Sequence, residues 1–98
     1  MDRRFVFDYE HYESRAALPE ADRRLVAEAE AATAGAHAPY SRFRVGAAAR
    51  LRSGRILRAA NFESEVYPAG LCAERSLLFY LEANHADDPI EALAIASD

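Results

Sequence analysis

The stretch YPAGLCAERSLLFY contains the only cysteine of the sequence, Cys72, with Glu74 and Arg75 directly after it. The spacing of apolar residues that follows predicts a helix that starts near Cys72. Side chains in a first helical turn lean toward its open end, where the helix dipole favours a thiolate. A thiolate beside a carboxylate that is not a ligand suits a zinc-activated water, with the acid carrying protons. Considered alone, these three residues favour a half-buried structural cysteine on a helix packed against a sheet.

The composition indicates one small globular domain over residues 1–98. The chain is 51% hydrophobic and 10% aromatic, which excludes a disordered protein. A single cysteine fits a reducing compartment, and no apolar run approaches the roughly 20 residues of a membrane span. The charged start MDRRFVFDYE lacks the core of a signal peptide, so we expect a cytoplasmic protein without a membrane partner. A net charge of −4 argues against nucleic acid as an obligatory partner.

The hydrophobic pattern predicts the element order strand, helix, hairpin, helix, strand. The predicted elements are a strand over 4–13, a helix from about Pro19 to Gly35, a hairpin over 43–62 turning at 53–54, a helix over 72–84 and a buried apolar strand over 90–97. Leu77, Leu78 and Leu81 form the apolar stripe of the second helix. This order implies an α/β layered fold with a mixed sheet.

Three runs in order then resemble one family. APYSRFRVGAA (38–48), NFESEVYPAGLCAER (61–75) and ALAIASD (92–98) strongly resemble the cytidine deaminase family, with Phe43, Asn61 and Cys72 at family-like spacings. The resemblance implies a three-layer α/β/α fold and hydrolytic deamination of cytidine and deoxycytidine in pyrimidine salvage. Zn²⁺ would be the cofactor.

The resemblance also implies a role for each matched residue. Cys72 would be one of three zinc-ligating cysteines and Glu74 the catalytic proton shuttle. The substrate would be held by Phe43 against the pyrimidine, Asn61 and Glu63 on the ribose, and the Ala73 backbone at the base edge. Arg75 would face the thiolates and offset their charge, and Tyr67 would reach a neighbouring subunit's site in a tetramer.

Each residue also has a plainer interpretation when it is considered alone. Asn61 could end a hairpin strand, Glu63 could be a solvated carboxylate, and Phe43 could be a core aromatic. Tyr67 could pack in a loop, and Arg75 could form a surface ion pair. We take the arginines of the hairpin as a solvated face, and the scattered His11, His37 and His85 as ordinary residues.

The sequence departs from the family pattern in two places. Ser64 and Glu65 stand where the family shows Asn and a small residue. The family's Pro-Cys-x-x-Cys motif would fall beyond Asp98. We therefore expect an incomplete domain without its C-terminal part. Such a chain should bind zinc weakly, so the 98-residue chain itself should be inactive or weakly active. Deamination of another aminated nucleoside, such as a blasticidin-type compound, and a catalytically inactive nucleoside-binding or interaction domain remain as alternatives.

Overall fold

The computed structural model describes residues 3–4, 6–64 and 70–98 of the chain, which include two helices and three strands. They are α1 (Glu20–Ala32), β1 (Val45–Leu51), β2 (Ile56–Ala60), α2 (Ala73–Asn84) and β3 (Ile90–Ser97), with short 3₁₀ turns at Arg15–Ala17 and Thr33–Gly35. The predicted order helix, hairpin, helix, strand is confirmed. No helix in these ranges is both long and apolar enough to cross a membrane.

The predicted strand at the N-terminus is wrong. The described residues before Ser14 adopt no regular structure, and Val6, Phe7 and Tyr9 are strongly exposed. Alternation of apolar and charged residues stabilises a strand only where a neighbour supplies backbone partners and a surface to cover. The sheet in the described part of the chain comprises β2, β1 and β3 only.

The three strands pair in the order β2-β1-β3, and both pairs are antiparallel. The expected mixed sheet is therefore not seen among the described strands. The segment through α2 does connect two strands of the same direction, β2 and β3. They do not pair because β1 lies between them.

The helices cover opposite faces of β1, which confirms the three-layer α/β/α arrangement. On one face Leu25 and Ala29 of α1 pack against Ala48. On the other face α2 packs against alternate residues of the same strand; this core is formed by Ala47, Ala49, Leu51, Ala73, Leu77 and Leu81. Small residues on both faces of the central strand let the two helices approach closely. Glycine is needed at Gly46, where an added Cβ would lie 2.1 Å from the Ala29 carbonyl oxygen.

Two predicted buried surfaces are more exposed than their composition indicated. Leu78 of the predicted stripe is 39% exposed, because α2 turns Leu77 and Leu81 to the sheet. β3 is not a fully buried strand. Its alternate alanines pack against α1, whereas Leu93 and Ile95 on the other face are 42% and 53% exposed, since α2 lies over β1 and β2.

The hairpin turn is hydrogen-bonded to the loop that precedes β3. The Asp88 carboxylate accepts hydrogen bonds from the Ser53 backbone N–H (2.9 Å) and hydroxyl (2.6 Å), and the Arg52 N–H donates to the Pro89 carbonyl (2.8 Å). The Ser53 hydroxyl, followed by its N–H group, lowers the pKa of Asp88 below its ordinary value. The turn itself needs Gly54, whose φ is +95°.

Candidate functional site

The segments that carry the described site residues meet at one end of the sheet, where β1 begins, β2 ends and α2 begins. Phe62 lies at the centre of this region. Its N–H donates to the Leu71 carbonyl (2.8 Å) and its carbonyl accepts from the Leu71 N–H (2.9 Å). On its other side the residues before and after it bond to His37, through His37 N–H to Asn61 O (3.0 Å) and Glu63 N–H to His37 O (2.7 Å). These bonds join His37, Phe62 and Leu71 into a short ribbon of backbone, which places Asn61 and Glu63 beside the segment that leads into α2.

Asn61 follows the last residue of β2 and joins the hairpin strands through its side chain. Its Oδ1 accepts a hydrogen bond from the Val45 N–H (3.0 Å), and its Nδ2 donates to the Phe43 carbonyl (3.0 Å). The simpler interpretation, a residue that ends a strand, is therefore confirmed. The amide also fixes the backbone on both sides of Arg44, and a contact with a ribose stays a prediction.

Glu63 holds its carboxylate against the turn that precedes β1. Its Oε1 accepts hydrogen bonds from the Tyr40 N–H (2.9 Å) and the Ser41 N–H (3.1 Å). The Ser41 hydroxyl and N–H, with a smaller contribution from Tyr40 and from His37, lower the pKa of Glu63 below its ordinary value. The carboxylate is thus ionised and oriented, and an ionised carboxylate can accept hydrogen bonds from the hydroxyls of a ligand.

Phe43 is 55% exposed, so the alternative interpretation as a core aromatic is wrong. Its backbone is held at both ends: its carbonyl by Asn61, and its N–H by the Ser41 hydroxyl (3.0 Å). An exposed aromatic ring on a fixed backbone is suited to pack against a flat ligand.

The second half of the site is the start of α2. Cys72 is the N-cap residue, with an extended backbone and an exposed thiol, and Glu74 lies half-buried in the first turn. The helix start predicted near Cys72 is therefore confirmed. The Ala73 side chain is completely buried in the core beneath α2, so the backbone at this point is anchored to the sheet. The first N–H groups of a helix have no acceptor within the helix, which leaves them available to a ligand.

The last two predicted site residues are Arg75 and Tyr67. The guanidinium carbon of Arg75 lies 5.4 Å from the centroid of the Phe79 ring, and its role beside thiolates stays a prediction. Tyr67 lies outside the described residues, as does Glu65.

The residues present do not by themselves fit a zinc ion. Within the ranges that the structure describes, no group of three or more His, Cys, Asp or Glu side chains could hold a metal. A zinc site needs three or four protein ligands, and Cys72 is the only thiol of the sequence. Of the three histidines, His37 stacks on Phe62 at 4.8 Å and His85 is tilted against Tyr80 at 5.6 Å.

Comparison with known proteins agrees with this geometry. No protein-family model matches the chain. The cytidine deaminase of Halalkalibacterium halodurans is 42% identical over 74 residues, which are 76% of this chain and 55% of that protein. The cytidine deaminase of Mycobacterium tuberculosis is 40% identical over 67 residues, 67% of this chain and 50% of that protein.

Solved structures match the fold as well as the sequence. The crystal structure of cytidine deaminase from Mycobacterium tuberculosis has a TM-score of 0.69 at 39% identity, covering 76% of this chain and 59% of that one. Cytidine deaminase from Burkholderia pseudomallei has a TM-score of 0.69 at 36% identity, covering 76% and 60%. Over its matched part, the chain is similar in both sequence and fold to cytidine deaminases. It spans about half the length of the curated relatives it matches.

Sequence reasoning missed the turn over residues 38–43 and the place of His37. The sequence predicts an ordinary residue at His37, whereas its backbone bonds to both neighbours of Phe62. The sequence APYS carried a signal, because proline and serine favour turns. The pairing of this turn with Glu63, 22 positions after Ser41, had no such local signal.

Proposed function

We propose that this chain is the nucleoside-binding part of a hydrolytic deaminase that converts cytidine and deoxycytidine to uridine and deoxyuridine with release of ammonia. The observation that carries the proposal is the ribbon through Phe62, which joins the 40–45 segment, Asn61 and Glu63 to the start of α2. The names of the relatives support the same reaction.

In this proposal the exposed Phe43 ring stacks on the pyrimidine and the ionised Glu63 carboxylate accepts hydrogen bonds from the ribose hydroxyls. Asn61 contributes to the ribose site, and the Ala73 backbone contacts the base edge. Glu74 carries the proton between the attacking water and the leaving amino group. The acid lies in the first turn of α2, so it leans toward the open end of the helix, where the base edge would lie.

Zinc is the proposed cofactor of this reaction, with Cys72 as one ligand. Since the described residues do not complete a metal site, no step of the reaction is assigned to the metal here. Arg75 would stand near the thiolate, and Tyr67 would contribute to a tetramer. We also place the reaction in cytoplasmic pyrimidine salvage.

A second candidate is a chain that binds nucleosides without chemistry. The observation that favours it is the same incomplete donor set around Cys72. Both candidates require the same proposed nucleoside site, the nucleoside cleft, which is formed by Phe43, Asn61, Glu63 and the start of α2. They differ in zinc content and in ammonia release.

The test combines zinc analysis, an ammonia assay and nucleoside titration of the purified 98-residue chain, followed by NMR. We expect cytidine and deoxycytidine to shift the resonances of Phe43, Asn61 and Glu63, with Glu63→Ala weakening the binding. Glu91→Ala, an exposed acid on β3, is the matched control and should bind as the unmodified chain does. Failure of every nucleoside to shift these resonances would overturn the proposal, and a substrate panel that favours a blasticidin-type compound would overturn the choice of cytidine.

A further inference from the structure

The turn before β1 contains a strained residue. Arg42 has a φ of +58°, the left-handed region that residues other than glycine rarely adopt, and its N–H donates to the Ala38 carbonyl (3.0 Å). Such a conformation persists only where the surroundings impose it, and it is concentrated at functional sites. Here the strained residue lies between Ser41, which bonds to Glu63, and Phe43, which carries the exposed ring.

Ser41 forms hydrogen bonds with both Glu63 and Phe43. Its backbone N–H donates to Glu63 Oε1 (3.1 Å), and its Oγ accepts the N–H of Phe43 (3.0 Å). One residue therefore connects the carboxylate of the cleft to the backbone of the exposed ring. Asn61 holds the carbonyl of Phe43, and the Ser41 hydroxyl holds its N–H, on the side that adjoins the strained residue.

We propose that Ser41 is a positioning residue that sets the separation and orientation of Glu63 and Phe43 in the nucleoside cleft. The proposal deepens the proposed function and depends on it for the identity of the ligand. Ser41 does not need to touch the substrate. Its hydroxyl keeps the Phe43 N–H bonded, and its backbone N–H holds the Glu63 carboxylate at the 38–43 turn. Both groups of Ser41 lower the pKa of Glu63.

A hydroxyl is required at this position for a physical reason. Without it, the Phe43 N–H would lose its acceptor, and the strained Arg42 backbone would lose one of the contacts that impose its conformation. His37 is a titratable group whose charge also lowers the pKa of Glu63, and it would remain in place. A threonine hydroxyl can form the same bonds, which makes Ser41→Thr the conservative variant.

The experiment compares Ser41→Ala, Ser41→Thr and the control Ser14→Ala, which removes an exposed hydroxyl that caps no helix. Carbon NMR titration gives the pKa of Glu63, and cytidine titration gives the dissociation constant. In Ser41→Ala we expect the pKa of Glu63 to rise toward its ordinary value and cytidine binding to weaken by about tenfold, the loss that one hydrogen bond predicts. Ser41→Thr and Ser14→Ala should retain both values.

The proposal is wrong if Ser41→Ala leaves the Glu63 titration and the cytidine affinity unchanged, or if the affinity falls while the Glu63 titration stays the same. Amide exchange in the unmodified chain gives a measurement that needs no variant, since the Phe43 N–H should be protected. Rapid exchange there would also overturn the proposal. If the unmodified chain binds no nucleoside, the proposed function fails, and the Glu63 titration with the Phe43 exchange still decides the role of Ser41.

Discussion

Replacing Gly46 by alanine should destabilise the fold sharply, because Gly46 is where α1 approaches the sheet most closely. An added Cβ would lie 2.1 Å from the Ala29 carbonyl oxygen. It would also lie 2.9 Å from the Thr33 nitrogen and 3.0 Å from the Ala32 Cβ. Ordinary contact begins at 3.4 Å, so the Ala29 carbonyl would have to withdraw by about 1.3 Å, the difference between 3.4 and 2.1 Å.

The size of the effect follows from what must move. The two nearest atoms belong to backbone, so no side chain can rotate away and α1 must shift as a unit from Ala48. Overpacking typically costs about 1–3 kcal/mol, and we expect the upper end, about 3 kcal/mol. For a domain of this size that loss lowers Tm by about 12–24 °C, at about 4–8 °C per kcal/mol. Against a typical stability of about 5–15 kcal/mol, the variant should still fold.

The assay is urea denaturation followed by circular dichroism, with thermal melts in parallel. Gly35→Ala is the matched control, since nothing lies within 4 Å of an added Cβ and its φ is not positive. There we expect no loss, or a gain of about 0.4–1 kcal/mol from the stiffer unfolded chain. A Gly46→Ala variant within about 0.5 kcal/mol of the unmodified chain would refute the packing of α1 against this part of β1.

Three further predictions test the core, the cleft and the hairpin turn. Leu77→Ala should lower the free energy of unfolding by about 2–5 kcal/mol and Leu78→Ala by much less, because only Leu77 is fully buried; equal losses in urea denaturation would contradict the orientation of α2. The lowered pKa of Glu63 stabilises the fold fully above its ordinary value of 4.5, and this contribution disappears as pH falls through the lower value of the folded state. Thermal melts across that pH range should therefore show a larger fall in Tm with decreasing pH in the unmodified chain than in Glu63→Gln. Parallel curves of Tm against pH would refute this prediction. Asp88→Asn should speed amide exchange at the Ser53 N–H while Asp87→Asn does not, and equal rates in both variants would argue against the bond to the turn.

Prediction from the sequence succeeded where near neighbours decide the structure. The helix start at Cys72, the helix through Leu25, Ala29 and Ala32, and the turn at Ser53 and Gly54 all appear as expected. Each depends on residues within about one or two turns of chain, through helical periodicity, capping or a positive φ. The family resemblance was recognised for a related reason, since it depends on residue types at fixed separations.

Prediction failed where exposure depends on distant parts of the chain. The apolar pattern of β3 is that of a buried strand, yet Leu93 and Ile95 are exposed because α2 covers β1 and β2 instead. The N-terminal segment alternates like a strand and pairs with nothing in the described sheet. A residue pattern shows which side chains favour burial, but it does not show which surface arrives to cover them.

In the candidate site, too, some features could be predicted from the sequence and others required the structure. The sequence by itself, through its resemblance to cytidine deaminases, supplied the candidate residues Cys72, Glu74, Asn61, Glu63 and Phe43, because their types and separations can be compared without a structure. Only the tertiary structure decided that Ser41 links Glu63 to Phe43, and that Arg42 lies strained between them. The bond between Ser41 and Glu63 joins residues 22 positions apart, and it forms only when the ends of β1 and β2 are brought together by packing that no short stretch of sequence specifies.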